Sequence, residues 1–225
     1  MTGTDVAVLE RARQSLGTSA DAIYATVIVA LRERQAGGRI ADVGCGGGHF
    51  RAAARDLCTS YVGVDVLRHA ALAADVRFCR ADLDREPIPL ETGTVDVGVA
   101  LEVIEHLENP RALVRELARI VRPGGWVVVS TPNQLSALSV ASLAITGQFA
   151  AFRDGAYPAH RTALVETDLR RIMAESQLDE VTVKYTCRGR VPLSALHYPT
   201  PLARVAPRMF SDNVVVLGRR RHVAV

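Results

Sequence analysis

The sequence predicts an α/β fold in which a doubly wound, mostly parallel sheet carries helices on both faces. Three observations support this class. Short apolar segments alternate with stretches of helical spacing, which is the pattern of βαβ units. The first four apolar segments are continuously apolar, as expected for strands covered on both faces. A glycine-rich stretch, ADVGCGGGHF, contains the end of the first of these segments and the turn that follows it.

Taken in chain order, each predicted element has its own signal. Ile23, Val27 and Leu31 fall on one helical face, Ser19 is the expected cap, and Gly37-Gly38 is expected to stop the helix. Strands are then predicted over 39–43, 61–65, 76–81, 95–100 and 126–130, with later strands over 181–185 and 213–217.

The remaining helices follow from spacing and from capping residues. An alanine-rich helix is expected over 50–57. Asn109-Pro110 is typical of an N-cap followed by proline at the first helical position, and 123–125 should end that helix. Leu169, Ile172 and Met173 indicate a further helix. No repeat or linker divides the chain, so we expect one domain over 1–225.

Composition narrows the function classes. The formal charge of +3 and the interleaving of arginines with acids do not indicate nucleic acid as a partner. The four cysteines form no CxxC pair, which is typical of reduced thiols. Residues 1–17 lack the apolar core of a signal peptide, and serines interrupt the apolar stretch 135–152. We therefore expect a cytoplasmic protein without a membrane span.

Polar groups follow several predicted strands at the point where each strand ends. The glycine stretch follows the first strand, and Asp65, Asp82 and Glu102 follow the next three. Because ligands of such sheets bind beyond the carboxyl ends of the strands, these groups should line one crevice.

The glycines leave alternatives open. Gly44, Gly46 and Gly48 form G-x-G-x-G, whereas the dinucleotide pattern G-x-G-x-x-G would need its third glycine at His49. No Gly-Lys-Ser/Thr follows, so the phosphate-loop pattern also fails. A purely structural turn is the remaining alternative.

Two strand-end aspartates favour a nucleoside. Asp65 lies 21 positions after Gly44, where a carboxylate can accept hydrogen bonds from both ribose hydroxyls. Asp82 can receive an exocyclic amine from adenine. Either aspartate alone could instead cap a helix, but together they supply the polar groups for an adenosine.

Five motifs then occur in order between residues 39 and 133: D-V-G-C-G-G-G, V-G-V-D, A-D-L, V-D-V-G-V-A-L-E-V-I-E-H-L and R-P-G-G-W-V-V-V-S-T-P-N. This series resembles the class I S-adenosylmethionine-dependent methyltransferases. The resemblance implies a seven-stranded Rossmann-like sheet with an antiparallel last strand, and S-adenosyl-L-methionine as cofactor.

The resemblance also implies residue roles toward that cofactor. The groups expected around its methionine part are Asp42, Gly44, Cys45, Gly46 and Gly48. Asp65 should hold the ribose with Val66 beside the adenine, while Asp82 and Leu83 should face the adenine edge. Leu101 and Glu102 should form the floor near the methyl group.

The stretch LEVIEHLENP supplies the expected catalytic residues, His106 and Glu105. His106 is the best candidate for the base that takes a proton from an acceptor hydroxyl, and its alternative role is to cap or pack the next helix. If Glu102, Glu105 and His106 shared a helical face, they could bind a divalent metal with His160. Over this stretch the chain resembles quinone-biosynthesis O-methyltransferases and small-RNA 2′-O-methyltransferases, some of which use a metal in this way. We assign no metal from the sequence.

The expected acceptor is a hydroxyl of a small molecule or a glycan precursor. Three alternatives remain: metal-assisted 2′-O-methylation of RNA, non-catalytic binding of S-adenosylmethionine, and nicotinamide-dependent oxidoreduction. Residues 134–161 form a long insertion with helical spacing. We expect it to be a lid that builds an acceptor pocket with Phe152, Tyr157 and His160. An extra core helix and a surface that approaches a membrane or a lipid-linked acceptor are the alternatives. Neither the methylated atom nor the oligomeric state has a signal in the sequence.

Overall fold

The computed structural model describes residues 19–192 and 194–222. Its centre is a seven-stranded sheet with the strand order β3-β2-β1-β4-β5-β7-β6. Strands β1 to β5 pair in parallel, and β7 pairs antiparallel with both β5 and β6. The predicted fold class and the antiparallel last strand are therefore confirmed. The signal-peptide analysis of residues 1–17 lies outside the described residues.

The strands follow the predicted apolar segments closely. Their bounds are β1 Gly38–Val43, β2 Cys58–Asp65, β3 Arg77–Arg80, β4 Val95–Leu101, β5 Val121–Pro132, β6 Leu178–Tyr185 and β7 Asn213–Arg220. Central strand β5 carries the longest buried run, followed by its two neighbours β4 and β7, because helices cover both faces of the sheet there.

Six helices and two 3₁₀ turns surround the sheet in the described part of the chain. The helices are α1 Asp21–Glu33, α2 His49–Ala53, α3 Pro110–Ile120, α4 Ala137–Thr146, α5 Glu166–Glu175 and α6 Thr200–Val205. The 3₁₀ turns are Ile104–His106 and Asp154–Ala156. No helix among the described residues is long and apolar enough to cross a membrane.

Some boundaries differ from the predictions for local reasons. Ser19 does not cap α1; the N-cap is Ala20, and the Ser19 amide donates to the Tyr24 hydroxyl at 2.9 Å. Helix α2 ends at Ala53, four residues before the predicted end. The predicted cap of α3 is confirmed, since Asn109 Oδ1 accepts from the Ala112 amide at 3.0 Å.

Two layers of apolar side chains hold the helices on the sheet. On one face, α3 and α5 bury Leu117 and Met173 against the strands. On the other face, α1 buries Val27 and Leu31 beside Trp126. This packing fixes the edge of the sheet at which β1 to β4 end, where the site lies.

Candidate functional site

A cavity of about 670 Å³ opens at the carboxyl ends of β1 to β4. Its wall combines strand ends, the N-terminal part of α1, the first 3₁₀ turn and residues from the 134–161 insertion. Nine of the eleven predicted cofactor residues line it: Asp42, Gly44, Cys45, Asp65, Val66, Asp82, Leu83, Leu101 and Glu102. The two predicted catalytic residues, Glu105 and His106, and the metal alternative's His160 line it as well. Topology thus brings together residues more than a hundred positions apart.

Acids dominate the wall of this cavity. The described lining residues include six carboxyl groups and no lysine or arginine; the acids are Asp42, Asp65, Asp82, Asp84, Glu102 and Glu105. Two of them have an arginine nearby, Arg85 at 3.7 Å from Asp82 and Arg161 at 3.9 Å from Asp84. Such a wall offers hydrogen-bond acceptors to a ligand that is rich in donors, and it has no lysine or arginine for a phosphate.

The glycine turn is explained largely by the protein's own packing. Gly44 has a φ of 78°, and a Cβ there would lie 2.3 Å from Val103 Cγ2. Gly48 has a φ of 79°, and its Cβ would lie 2.7 Å from Leu72. Gly46 and Gly48 are not among the residues that line the cavity, so their contact with the cofactor stays a prediction. Packing against Val103 and Leu72 therefore accounts for Gly44 and Gly48, whether or not a ligand contacts the turn.

Asp65 and Asp82 stand at the ends of β2 and β3, as predicted. Asp65 Oδ2 accepts from the Gly46 amide at 2.9 Å and Oδ1 from the Val66 amide at 2.7 Å. These main-chain donors fix the carboxylate toward the cavity, although burial raises its pKa above the usual value. Asp82 Oδ1 accepts from the Asp84 amide at 3.1 Å.

Asp42, at the end of β1, is only 3% exposed. It accepts a short hydrogen bond from the Tyr61 hydroxyl on β2. Burial raises the pKa of Asp42 to about 7. The hydrogen bond from Tyr61 acts to lower that pKa, because it stabilises the carboxylate anion, but burial has the larger effect. Tyr61 was not predicted as a site residue, and its place two residues before Gly63 on a strand gave no signal.

Cys45 is a small, buried wall residue rather than a reactive thiol. Burial raises its pKa far above that of a free cysteine, and the charges of Asp42 and Asp65 add to the effect. Its sulfur packs where a side chain at Gly63 would otherwise lie, 2.7 Å from that position.

Glu102 follows β4 and has a φ of 55°, so it does not begin a helical turn. Its Oε1 accepts from Ser130 Oγ at 2.9 Å, and its Oε2 accepts from Asn213 Nδ2 at 2.8 Å. Burial raises the pKa of Glu102 to about 7. Ser130 and Asn213 come from β5 and β7, so sequence spacing could not have identified them.

Glu105 lies in the first 3₁₀ turn and is 1% exposed. Within the described chain, neither of its carboxylate oxygens has a hydrogen-bond partner of good geometry, although the Thr131 hydroxyl and the Glu105 amide are close enough to act against the rise in its pKa. Burial and the nearby charge of Glu102 hold its pKa well above the usual value. A buried carboxyl without a partner is costly, and such groups in native proteins commonly serve a ligand or a reaction.

The two histidines face each other across the cavity wall, with ring centroids 4.9 Å apart. His106 Nδ1 lies 2.8 Å from the Ala159 carbonyl, and His160 Nδ1 lies 2.6 Å from the Ala151 carbonyl. Because a carbonyl only accepts, each Nδ1 carries a proton, so Nε2 is the ring atom that could act as a base or a metal ligand.

The insertion is tied to the first 3₁₀ turn by its main chain. The amides of Arg161 and Thr162 donate to the Glu105 carbonyl at 2.9 and 3.0 Å. Thr162 Oγ1 donates to the Leu107 carbonyl at 2.7 Å. Because these bonds are made by the two residues that follow His160, they hold His160 close to Glu105 and His106.

The four residues of the metal alternative are only partly brought together. Glu105, His106 and His160 place one ligand atom each within 4.8 Å of one another. Glu102 is not in that group, and it has its own partners in Ser130 and Asn213. The condition of one shared helical face is not met, because the helical turn starts only at Ile104.

With this geometry established, comparison with known proteins is informative. A family model described as a methyltransferase domain matches residues 18–183. Ubiquinone biosynthesis O-methyltransferase of Burkholderia vietnamiensis is 35% identical over 107 residues, which is 44% of this chain and 46% of that protein. The enzyme of the same name from Albidiferax ferrireducens is 35% identical over 108 residues, 44% of this chain and 43% of that one. The chain thus spans less than half the length of these curated relatives.

Solved structures agree on the fold. A SAM-dependent methyltransferase from Archaeoglobus fulgidus superposes with a TM-score of 0.62 at 17% identity, covering 88% of this chain and 94% of that one. The cyclase SpnF superposes with a TM-score of 0.60 at 18% identity, covering 88% and 81%. At these identities the likeness establishes the fold alone, since one fold hosts different chemistries.

The family model covers most of the chain, and its span contains the glycine turn, the strand-end acids and the histidine pair. The chain therefore belongs to the methyltransferase-domain family, within the class I S-adenosylmethionine-dependent superfamily.

Proposed function

We propose that this chain transfers the methyl group of S-adenosylmethionine to a hydroxyl group of a small molecule or glycan precursor. One observation carries the proposal: a single cavity joins strand-end acids to a histidine, His106, whose Nδ1 is held by the Ala159 carbonyl. The acids suit the cofactor, and the histidine suits an acceptor that must lose a proton.

The acidic wall fits the cofactor by the chemistry of its groups. S-adenosylmethionine carries a sulfonium, an ammonium, two ribose hydroxyls and an amine, and it has no phosphate. Carboxylates accept hydrogen bonds from the ammonium, the hydroxyls and the amine, and they attract the sulfonium and the ammonium by charge. A nicotinamide dinucleotide would instead bring its pyrophosphate to a wall with six acids and no described lysine or arginine, which opposes the oxidoreductase alternative.

On this proposal, Asp65 accepts from the ribose and Asp82 from the adenine amine, with Asp42 toward the methionine end. When bound, S-adenosylmethionine supplies a methyl group whose bond to sulfur breaks as a bond to the acceptor oxygen forms. His106 Nε2 takes the proton that the hydroxyl loses, and the Ala159 carbonyl stabilises the resulting imidazolium through Nδ1.

A small-molecule acceptor is supported by the lining of the cavity and by the relatives. Gly155, Ala156 and Tyr157 line the cavity beside His160, so the insertion forms part of the wall on the acceptor side. The curated relatives are named for O-methylation in ubiquinone biosynthesis, which favours a hydroxyl acceptor.

The test is methyl transfer from a labelled donor to a panel of phenols, catechols and glycans, with total RNA as a separate arm. We expect label in a hydroxyl acceptor, and loss of that label in His106→Gln with binding of S-adenosylhomocysteine retained. Label on RNA alone would contradict the small-molecule assignment. Tight binding of S-adenosylhomocysteine without transfer to any acceptor would instead support a non-catalytic binding protein.

A metal-assisted version of the same transfer is the second candidate. It is favoured by the unpartnered Glu105 carboxylate, which lies with His106 and His160 in one cluster. Two imidazoles and one carboxylate suit divalent cations such as Zn²⁺, Fe²⁺ or Mn²⁺, and both Nδ1–H groups are oriented by carbonyls, as in many metal sites. A divalent cation held there would lower the pKa of an acceptor hydroxyl.

The two versions differ in what His106 does, because a metal ligand cannot also be the base. Calorimetric titration with Mn²⁺ or Zn²⁺ should show one site in the wild type and none in Glu105→Gln if the cluster binds metal. Transfer that survives exhaustive chelation would leave His106 as the base. Transfer that is lost on chelation and restored by the cation would favour the metal.

A further inference from the structure

Helix α4 is oriented with its polar side inward. Its buried residues are Ser139 and Ser142, whereas Val140, Leu143 and Ile145 are 47%, 39% and 83% exposed. An ordinary surface helix does the opposite and turns its apolar stripe to the core.

Hydrogen bonds fix this orientation. Ser139 Oγ donates to Gln134 Oε1 at 3.2 Å, and Ser142 Oγ donates to the Gln148 carbonyl at 2.8 Å. Arg153 donates to Ser142 Oγ at 3.1 Å. Rotating the helix to bury its apolar side would break this whole set, so the apolar side is held outward.

A second apolar segment adjoins α4. The Ala137 amide, at the start of α4, donates to the Met209 carbonyl at 2.8 Å. Met209 and two apolar residues that precede it in the chain are exposed: Met209 is 52%, Val205 is 85% and Leu202 is 42% exposed. We call these three residues, with the three exposed residues of α4, the α4–α6 surface.

Arginines outnumber acids around this surface. Residues 134–153 and 186–211 contain no aspartate or glutamate, but they contain five arginines: Arg153, Arg188, Arg190, Arg204 and Arg208. Asp154 and Asp212 directly follow these two segments, and Asp212 pairs with Arg190 at 2.9 Å. Arg204 and Arg208 lie between the exposed apolar residues of the second segment and are themselves exposed. Within the described part of the chain neither forms an ion pair, although the charge of Arg208 lowers the pKa of Glu166.

We propose that the α4–α6 surface docks on an anionic lipid membrane. Exposed apolar side chains can enter the boundary between headgroups and acyl chains, while nearby arginines are attracted to anionic headgroups. A second copy of the chain suits the surface less well, because it would bring like-charged arginines together. The proposal concerns where the protein sits and does not depend on which acceptor it methylates.

The test is co-sedimentation with vesicles. We expect the wild type to pellet with vesicles of equal parts phosphatidylglycerol and phosphatidylcholine, and much less with phosphatidylcholine alone or at high salt. Ile145→Glu and Val205→Glu should each weaken binding at least roughly tenfold. Neutralising Arg204 and Arg208 by glutamine should weaken it by roughly fivefold for each arginine.

Val29→Glu is the matched control, since Val29 is 54% exposed on α1, outside the α4–α6 surface. It should bind vesicles like the wild type, and circular dichroism should show all variants folded. Equal weakening in Val29→Glu, or no binding by the wild type, would overturn the proposal. A dimer in solution that Ile145→Glu dissociates would overturn it in favour of an interface between copies.

Discussion

The two walls of the cavity are built in different ways. The wall that we propose for the cofactor, the cofactor wall, consists of strand ends, and its aspartates already accept hydrogen bonds from Gly46, Val66, Tyr61 and Asp84. The wall that we propose for the acceptor, the acceptor wall, consists of a 3₁₀ turn and an insertion about fifty residues away, and it contains the buried Glu105 carboxylate.

On our proposal, one wall of the cavity serves binding of the cofactor and the other serves the chemistry of methyl transfer. A carboxylate whose hydrogen bonds come from the chain is held in place before a ligand arrives, which reduces the entropic cost of binding. A buried carboxyl without a well-aligned partner is stabilised little by the fold, and in the metal-assisted version its partner is the cation. Variants in the two walls should therefore fail in different ways.

The largest effect is expected at the acceptor wall. His106→Ala should lower methyl transfer by about a hundredfold or more, because the base that takes the hydroxyl proton is lost. Its affinity for S-adenosylhomocysteine should change little. The assays are turnover with labelled donor and calorimetric titration.

His49→Ala is the control for that variant, since His49 lies at the start of α2 and does not line the cavity. It should keep full turnover. If His106→Ala lost affinity for the cofactor rather than turnover, the division between the two walls would be wrong.

The next effect is expected at the cofactor wall. Asp65→Ala should weaken S-adenosylmethionine binding by about tenfold, through loss of charge-assisted hydrogen bonds worth at least about 1 kcal/mol. Asp65→Asn tests the same point with less disturbance of the turn. Asp75→Ala, which breaks an exposed ion pair with Arg51, should bind like the wild type. Unchanged affinity in a folded Asp65 variant would refute the ribose assignment.

A smaller, pH-dependent effect is expected at Asp42. Its pKa is raised to about 7, so a cationic cofactor should bind more tightly as the carboxyl ionises through that pH. Tyr61→Phe removes a hydrogen bond that stabilises the carboxylate, which raises the pKa of Asp42 further. In Tyr61→Phe, the increase of cofactor affinity with pH should therefore occur at a higher pH than in the wild type. Measured between about pH 6 and about pH 9, its affinity at neutral pH should be lower by roughly two- to fivefold.

Tyr185→Phe is the control, because Tyr185 donates to Glu166 at 2.6 Å and does not line the cavity. It should leave the pH profile unchanged. An unshifted profile in Tyr61→Phe would mean that Asp42 does not face the cationic part of the cofactor.

The smallest effect is expected where the insertion joins the first 3₁₀ turn. Thr162→Val removes the hydroxyl that donates to the Leu107 carbonyl, and should cost about 1 kcal/mol of unfolding free energy. Urea denaturation measures that cost. Since the main-chain bonds to Glu105 remain, turnover should fall less than in His106→Ala. A loss of turnover as large as in His106→Ala would show that the hydroxyl is essential for placing His160.

Much of the cofactor wall could be predicted from the sequence. A local run of apolar residues predicts a strand, and the acid that follows the run marks the end of that strand. Asp65 and Asp82 were placed correctly for this reason. The serines of α4 mislead the same reasoning: helical spacing predicts a helix, but not which side faces the core when hydrogen bonds rather than apolar packing orient it. Partners such as Tyr61, Ser130 and Asn213 carry no local signal, since they depend on which strands are neighbours.

The order of strands and helices, the glycine turn and the acids at the strand ends could be predicted from the amino-acid sequence, because these depend on periodicity and on backbone preferences within a few residues. Which side chains contact one another in the cavity depends on the folded chain. Glu102 itself adopts the left-handed conformation, which keeps it out of the turn that holds Glu105, and its carboxylate is held by side chains from β5 and β7. His160 was brought to His106 by hydrogen bonds across some fifty residues. Contacts of that kind arise from the packing of the whole chain, which no short stretch of residues encodes.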